Sequence, residues 1–310
     1  MEILLVMGYP ASGKSTYVEK KLGEGYTRLN RDTQGGGLDA LAARLSAGIK
    51  AGGKRFVLDN TYPTVESRRP ILAIAKEHKI PVRCLLLGTS IEDAQVNACV
   101  RMVRLQGKLL MPEDFKRIKD PNIFPPAALF GYRKAFQKPD LSEGFASIET
   151  VPFVREADAG YTGKALLLDY DGTLRKTKSG DKYPKHPDDI EILPGRREVL
   201  DRYLRDGYRL LGVSNQGDVA RGKLTMAVAE ACFKRTNDLL GISIEVGFCP
   251  HNPAPIACYC RKPMPGIAVA YIEKYKLNRA ETIMVGDMTS DKTFASRAGI
   301  HYTDAAAFFG

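Results

Sequence analysis

The chain has 310 residues, enough for two domains of ordinary size, and its 44% hydrophobic and 26% charged residues are typical of a globular protein. No apolar run approaches the roughly 20 residues that span a bilayer, and no signal peptide precedes the first strand-like segment, so we expect no membrane segment and a cytoplasmic location. The net charge of +10 is concentrated in residues 1–155, where 24 Lys/Arg face 16 Asp/Glu, which suggests either an anionic partner such as nucleic acid or a solvated basic surface.

Short apolar runs alternate with helix-like segments in both halves of the chain. Strands are predicted at EILLVMG, RFVLDN and VRCLLLG in the first half, and at KALLLDY, RLLGVSN and TIMVGD in the second. Helices are predicted at STYVEKKL, LDALAARLSAGIKAG, RREVLDRYLRDG and MAVAEACFKRTNDLLG. This alternation predicts the α/β class with two parallel sheets. The pattern restarts near residue 164, after the mixed stretch ETVPFVREADAGYTG, so we predict domains at 1–156 and 157–310.

The first motif in chain order is GYPASGKST, which fits the pattern G-x-x-x-x-G-K-[ST]. A predicted strand precedes it and a predicted helix follows, which is the context of a loop that binds the phosphates of ATP. Lys14 would reach the β- and γ-phosphates, and Ser15 would bind Mg²⁺; alternatively, the motif is a glycine turn before a helix. The predicted nucleotide-binding residues are Gly8, Ser12, Gly13, Lys14, Ser15 and Thr16.

Two aspartates follow later strands of the same half. Asp32 in RLNRDT and Asp59 in VLDNT stand at the carboxyl ends of predicted parallel strands, where open α/β sheets bind their ligands. A carboxylate there could accept a proton from a hydroxyl that receives a phosphoryl group. Either aspartate could instead be a helix N-cap.

The segments LNRDT, LDNT and FGYRKAFQKPDLSEGFASI resemble the kinase domain of the polynucleotide kinase-phosphatase family, which heals broken nucleic-acid ends. The resemblance implies that Asp32 is the general base for a 5′-hydroxyl. It also implies that a lid-helix arginine clamps the transferred phosphate, with Arg101 as the best match and Arg104 nearby; each could also be a solvated helix residue. Gly35 stands where phage members have an arginine, although animal members have glycine too, so the contact to the acceptor's 3′ side is not fixed.

The second half carries DYDGT at the end of a predicted strand. Asp169 could attack phosphorus to form an aspartyl-phosphate, and Asp171, on the same side of the strand, could protonate the leaving group. Ser214 could bind phosphoryl oxygens and Lys262 could neutralise the transition state. The order of these elements resembles that of the haloacid dehalogenase superfamily, without room for a large cap; the alternative is a set of acidic strand-end caps. The predicted Mg²⁺ ligands are Asp169, Asp171 and Asp287, with Asp291 in support.

The segment FCPHNPAPIACYCRKPMPG combines C-x-H with C-x-C on a proline-rich loop. Four soft ligands predict a structural Zn²⁺ site that would orient the basic residues after it, whereas the alternative is a loop with three free thiols. The loop resembles that of histidinol-phosphate and heptose-bisphosphate phosphatases. The predicted Zn²⁺ ligands are Cys249, His251, Cys258 and Cys260.

The two halves together suggest complementary chemistry on two different ends. The segment RKTKSGDKYPKHPDDIEILPG resembles the 3′-phosphatase domain of polynucleotide kinase-phosphatases, which normally lack the zinc loop. We therefore expect a bifunctional enzyme that uses ATP, Mg²⁺ and Zn²⁺ on DNA or RNA ends, phosphorylating the 5′-hydroxyl and removing the 3′-phosphate. One alternative is a metabolite enzyme that pairs a small-molecule kinase with a sugar- or histidinol-phosphate phosphatase. Another is a repair scaffold with one inactive half.

Overall fold

Runs of buried aliphatic residues form the central strands of two parallel sheets in the computed structural model of the chain. The structure describes all 310 residues apart from the side chains of residues 21 and 22. The predicted α/β class is confirmed, and each predicted strand and helix quoted above corresponds to an element of the structure.

The first sheet has the strand order β2-β3-β1-β4-β5, and all its strands are parallel. Its core consists of aliphatic side chains from the sheet and from the helices that pack on it. The elements are β1 Glu2–Met7, α1 Lys14–Leu22, β2 Thr27–Leu29, α2 Arg31–Gln34, α3 Leu38–Lys50, β3 Arg55–Asp59, α4 Val65–Glu77, β4 Val82–Leu87, α5 Ile91–Gln106, α6 Pro126–Ala135 and β5 Ser147–Val151.

The second sheet has the order β10-β9-β6-β11-β12 and is also parallel throughout. Between β6 and β9 the described residues contain only an antiparallel ribbon of β7 and β8, a short 3₁₀ turn and α7, so the expectation of no large cap is confirmed. The elements are β6 Gly163–Leu168, β7 Arg175–Thr177, β8 Ile190–Ile192, α7 Arg196–Arg205, β9 Tyr208–Asn215, α8 Gly217–Ala220, α9 Met226–Leu240, β10 Glu245–Cys249, α10 Gly266–Tyr275, β11 Leu277–Gly286, α11 Thr289–Ala298, β12 His301–Asp304 and α12 Ala305–Phe309.

The chain divides into two units, and each unit consists of two separate segments of the sequence. The first comprises Met1–Ala98 and Asp120–Arg155, and the second comprises Cys99–Lys119 and Glu156–Gly310. The stretch ETVPFVREADAGYTG, which we interpreted as a boundary, begins within β5. The domain limits 1–156 and 157–310 therefore stay a prediction, because residues 99–119 group with the second unit.

The carboxyl ends of the parallel strands carry most of the residues predicted to be functional. In the first unit β1 leads into the phosphate-loop motif, and Asp59 ends the neighbouring strand β3, opposite Val6. In the second unit Asp169 follows the central strand β6, and Asp287 follows its neighbour β11. In each sheet the predicted site residues thus lie together at the carboxyl ends of the strands. Among the described residues, none of the helices combines the length and apolarity needed to cross a membrane.

Candidate active sites

The loop of residues 8–13 joins β1 to α1 and folds over the side chain of Lys14. The Nζ atom of Lys14 donates to the backbone carbonyls of Tyr9 (2.6 Å) and Gly8 (3.1 Å). Charged phosphate oxygens are stronger acceptors than carbonyls, so a bound polyphosphate can replace these contacts. The amino terminus of α1 lies at the end of the same loop and favours an anion there. The remaining predicted nucleotide-binding residues of this segment are Ser12, Gly13, Ser15 and Thr16.

A buried ion pair lies beside the loop. The guanidinium of Arg28 on β2 makes two hydrogen bonds to the carboxylate of Asp59, at 2.9 and 2.5 Å, and Asp59 is only 1% exposed. The same guanidinium donates to Oγ of Ser15 at 3.1 Å. Asp59 does not cap a helix, because the N-cap of α4 is Thr64. The predicted Mg²⁺ ligand Ser15 is thus linked through Arg28 to a carboxylate at the end of β3.

Asp32 lies in the first turn of the short helix α2, with 41% of its side chain exposed. The N-cap of that helix is Asn30, whose side-chain oxygen accepts from the backbone of Asp32, so the N-cap alternative is wrong for Asp32 as well. The amide of Asn30 also donates to the backbone carbonyl of Asp59 at 2.6 Å. This bond joins the ends of β2 and β3 and leaves the Asp32 carboxylate, 3.7 Å from Arg31, accessible to an acceptor. The general-base role of Asp32 stays a prediction.

The two arginines considered for the lid lie near the end of α5, in the segment that groups with the second unit. Arg104 donates to Glu273 at 2.8 Å and contacts Asp158 at 3.3 Å, and Tyr161 donates to the same Glu273 carboxylate. Burial alone raises the pKa of Glu273, but the hydrogen bonds from Arg104 and Tyr161 outweigh it and hold that pKa below its usual value. Arg104 is therefore committed to an ion-pair network, and the phosphate-clamping role of Arg101 stays a prediction.

In the second unit, Lys262 joins two buried carboxylates. Its Nζ atom lies 2.5 Å from Oδ1 of Asp169 and 2.7 Å from Oδ1 of Asp291. Burial raises the pKa of Asp169 to about 7, although the charge of Lys262 opposes that rise. Carboxylate oxygens of Asp169, Asp287 and Asp291 all lie within 4.8 Å of one another. Three convergent carboxylates fit the oxygen ligands that Mg²⁺ prefers.

The loop that carries Lys262 is fixed to the end of β9. The side-chain amide of Asn215 donates to the backbone carbonyl of Lys262 and accepts from its backbone N–H, both at 3.0 Å. Ser214, the preceding residue, is buried, and its Oγ accepts from the amide of Gln216 at 3.0 Å. The predicted phosphate-binding serine and lysine are thus held on adjacent, mutually bonded segments.

Asp171 points to different partners from the other carboxylates. Its Oδ1 accepts from Nε of Arg175 at 2.7 Å, and its Oδ2 accepts from the amide of Gln216 at 3.2 Å. Its side chain is outside the carboxylate cluster, which contains Asp291 instead. Asp171 is therefore not part of this cluster, and its role as a Mg²⁺ ligand stays a prediction.

The four predicted zinc ligands come together at the end of β10. Sγ of Cys249 lies 3.4 Å from Nδ1 of His251 and 3.7 Å from Sγ of Cys258, and the same Nδ1 lies 3.2 Å from Sγ of Cys260. All four donor atoms lie within 4.8 Å of one another. Three thiols and one imidazole that converge in this way fit a tetrahedral Zn²⁺ site.

Comparison with known families separates the two halves in the same way as the motifs. Residues 3–104 match the family described as an AAA domain, and residues 164–309 match the family described as polynucleotide kinase 3 phosphatase. The second match covers 146 of the 310 residues, nearly all of the second half. The first half carries an AAA-type domain, so the suspected pairing of a P-loop domain with a phosphatase domain is confirmed.

Individual relatives match one half or both. A bifunctional polynucleotide phosphatase/kinase of Schizosaccharomyces pombe is 36% identical over 153 residues, which cover 49% of this chain and 34% of the relative. A probable D-glycero-D-manno-heptose-1,7-bisphosphate 7-phosphatase of Thermoplasma volcanium is 36% identical over 143 residues, 43% of this chain and 92% of that protein. A chain in the solved Pnkp1/Rnl/Hen1 complex covers 98% of this chain and 95% of its own length, at 17% identity and a TM-score of 0.36. This chain thus spans about a third of the length of the S. pombe relative.

Several residues around the carboxylate cluster of the second unit were not predicted from the sequence. Arg175 and Gln216 hold Asp171, and Asn215 fixes the backbone of Lys262. Asn215 and Gln216 directly follow the predicted Ser214, so their position after a functional strand end was an available signal. Arg175 gave no such signal, because its other partners lie on α9, about 60 residues later in the chain.

Proposed function

We propose that the chain is a bifunctional enzyme that phosphorylates 5′-hydroxyl ends of nucleic acid with ATP and removes phosphate from 3′ ends. The observation that carries the proposal is the contact of Lys262 with Asp169 and Asp291 in a polynucleotide kinase 3 phosphatase domain of the same chain that holds the phosphate loop. The name of the S. pombe relative supports the same pair of activities. A nick with a 3′-phosphate and a 5′-hydroxyl needs both before it can be sealed.

The phosphatase reaction would proceed in two steps at the end of β6. A carboxylate oxygen of Asp169 attacks phosphorus, the bond from phosphorus to the 3′-oxygen breaks, and Asp171 gives that oxygen a proton. Water then attacks the aspartyl-phosphate, Asp171 takes up a proton from it, and inorganic phosphate leaves as the carboxylate of Asp169 is restored. Lys262 and Ser214 bind the phosphoryl oxygens, where negative charge must be stabilised in both steps.

Metal ions would support this chemistry from two separate sets of side chains. Asp169, Asp287 and Asp291 would hold Mg²⁺, which would offset the charge of the phosphoryl group. The cysteine and histidine cluster at the end of β10 would hold Zn²⁺ in a structural role, since it offers four protein ligands. The ion would fix the loop that ends two residues before Lys262.

The kinase reaction would take place at the edge of the first sheet. The loop of residues 8–13 and Lys14 would hold the phosphates of ATP, and Ser15 would hold Mg²⁺. Asp32 would accept the proton of the 5′-hydroxyl. The hydroxyl oxygen would attack the γ-phosphorus, and the bond from that phosphorus to ADP would break. The exposure of Asp32 supports this role, because a polymer end can reach it from solvent. Arg101 is the arginine that we propose for the transferred phosphate.

A metabolite phosphatase is the second candidate for the second half. The T. volcanium relative favours it, since this chain covers nearly all of that protein at 36% identity. The absence of a large cap among the described residues suits both a polymer end and a small sugar phosphate. The two candidates differ in substrate rather than in the steps written above.

One oligonucleotide tests the proposal. A single-stranded substrate with a 5′-hydroxyl and a 3′-phosphate, incubated with Mg²⁺, should lose its 3′-phosphate without ATP and gain a 5′-phosphate only when ATP is added. The matched control is the same oligonucleotide with a 5′-phosphate and a 3′-hydroxyl, which should not change. Gel mobility and phosphate release measure the two ends independently.

Salt dependence separates a polymer acceptor from a small one. The first 155 residues carry a net +8, so binding of a phosphate backbone should release counterions and weaken steeply as salt rises. Phosphorylation of the oligonucleotide should therefore exceed that of a nucleoside 3′-phosphate or a free sugar at low salt, and the margin should narrow at moderate salt. A sugar phosphorylated as well as the oligonucleotide at every salt concentration would favour the metabolite enzyme.

A further inference from the structure

We propose that Arg175 is a positioning residue that sets the orientation of the Asp171 carboxylate for proton transfer to the leaving group. The inference rests on the proposed phosphatase function, in which Asp171 is the proton donor. It concerns a residue that lies behind the site and has no predicted contact with the substrate.

Arg175 is held more firmly than an arginine usually is. Its side chain is 1% exposed, and Nη1 donates to the backbone carbonyl of Cys232 and to Oγ1 of Thr236 on α9, both at 2.9 Å. The guanidinium also lies over the rings of Tyr170 (5.3 Å) and Phe233 (5.1 Å). The two hydrogen bonds to α9 and the two neighbouring rings together fix the orientation of the guanidinium.

Nε of Arg175 donates to Oδ1 of Asp171 at 2.7 Å. A backbone hydrogen bond also joins the two segments, because the N–H of Gly172 donates to the carbonyl of Arg175 at 2.9 Å. A carboxylate that bonds a fixed donor through one oxygen has few orientations left for the other. That second oxygen, Oδ2, has the amide of Gln216 as a partner, and Gln216 also donates to the predicted phosphate-binding Ser214.

The arrangement forms a continuous chain from α9 to the phosphate site. It runs from Thr236 through Arg175, Asp171 and Gln216 to Ser214, and each link is a hydrogen bond of 3.2 Å or less. An unpaired buried guanidinium would be costly, so Arg175 is a poor choice for simple packing against aromatic rings. Its cost is explained if the site needs a fixed donor behind the catalytic carboxylate.

Two substrates with different leaving groups distinguish the loss of Asp171 orientation from a general loss of activity. A nucleotide 3′-oxygen leaves as an alkoxide and needs a proton in the transition state, whereas nitrophenolate leaves without one. Arg175→Met should therefore slow release of the nucleoside end from a 3′-phosphorylated oligonucleotide by about 100-fold, within the range that general acid catalysis contributes. It should slow nitrophenolate release from p-nitrophenyl phosphate less than about threefold.

The measurement uses the full-length protein with Mg²⁺ in single-turnover experiments with enzyme in excess. Leaving-group release then reports only the first step, so that hydrolysis of the aspartyl-phosphate does not mask the difference. The matched control is Arg209→Met, since Arg209 also lies over an aromatic ring, that of Tyr275 at 4.2 Å, but at the start of β9. This control should leave both rates unchanged.

Two milder variants keep the test informative if Arg175→Met unfolds. Arg175→Lys keeps the charge but loses the bonds to α9, and Thr236→Val removes one acceptor and keeps the side-chain shape. Both should slow the oligonucleotide reaction by roughly three- to tenfold and spare the nitrophenyl reaction. Equal slowing of both substrates by every folded variant would overturn the positioning role. Failure of the wild-type protein to release either leaving group would instead overturn the proposed phosphatase function.

Discussion

Gly172 lies at a point of close approach to the carboxylate cluster of the second unit. Its φ is +86°, and a Cβ built on it would lie 2.4 Å from Oδ2 of Asp287. A side chain at this position would therefore meet both an unfavourable backbone conformation and an atom that is predicted to bind metal. The spacing between the two aspartates of DYDGT and the later Asp287 depends on the absence of that one carbon.

We expect Gly172→Ala to lower phosphatase turnover by about 100-fold, because displacing a catalytic carboxylate by even 1 Å has effects of this size. The Mg²⁺ concentration needed for half-maximal activity should also rise. Gly180→Ala is the matched control, since Gly180 has φ +84° and nothing lies within 4 Å of its Cβ position. Both variants should lower the melting temperature similarly, and only Gly172→Ala should lose activity. Equal activities would contradict the close approach to Asp287.

The residues of the sites were predictable to the extent that they stand at strand ends. Asp169, Ser214 and Asp287 each follow or end a buried run, and the structure brings them to one edge of the sheet. Arg175 was not predictable, because its environment is made by α9, and no local pattern links the two. Asp291 was expected only in support, yet its carboxylate is one of the three that cluster, since α11 turns it back toward Lys262.

At the scale of elements, the loop from Cys249 to Cys260 connects β10 to the segment of Lys262. The two ends of this loop are close to each other. Cys249 and His251 at its start lie within 3.7 Å of Cys258 and Cys260, respectively, at its end. Between the cysteines, residues 252–257 are exposed and include two prolines and two alanines, which contribute little packing. The cluster is therefore the main local restraint on the loop.

We expect Cys258→Ser to lower bound zinc well below one ion per chain, with tenfold or greater loss of phosphatase activity, since binding of a structural metal contributes directly to folding. Kinase activity should be retained. Elemental analysis of metal-replete protein measures the first effect, with Cys99→Ser, a buried thiol of α5, as the control that keeps its zinc. Absence of zinc from the metal-replete wild-type protein would exclude the site.

In the two five-stranded sheets, the strands that the sequence analysis missed are the edge strands. The predicted strands β1, β3 and β6 have long buried runs, because helices cover both faces of the sheet centre. By contrast, β5 and β12 lie at sheet edges and contain no fully buried residue. Without an apolar run they resemble loops, which is why part of β5 was interpreted as a domain boundary.

At the scale of the whole molecule, the two predicted sites use separate sheets and separate residues. The phosphate loop depends on Lys14 in the first unit, and the aspartyl-phosphate would form on Asp169 in the second. The charge is divided too, with a net +8 in the first 155 residues against +2 in the rest. Nothing in either residue set is shared, so the two reactions should respond to mutation independently.

Lys14→Ala should lower 5′-phosphorylation by 100-fold or more, because the developing phosphoryl charge loses its cation, and should leave 3′-phosphate removal within about twofold. Asp169→Asn should have the opposite effect, since an amide cannot act as the nucleophile. Both ends of one labelled oligonucleotide report the outcome in a single reaction. Loss of both activities in a folded Lys14→Ala protein would contradict two separate sites.

The assignment of residues 99–119 to the second unit bears on how the chain folds as it leaves the ribosome. Leu109 and Met111 of this segment pack against the core that contains the zinc-ligand cysteines and β11, all of which are synthesised more than 100 residues later. The first unit has its full sequence once Arg155 has emerged, at a time when residues 99–119 still lack their packing partners. During that interval translation leaves the apolar side chains of Leu109 and Met111 uncovered, and residues of the second unit that emerge later complete their packing.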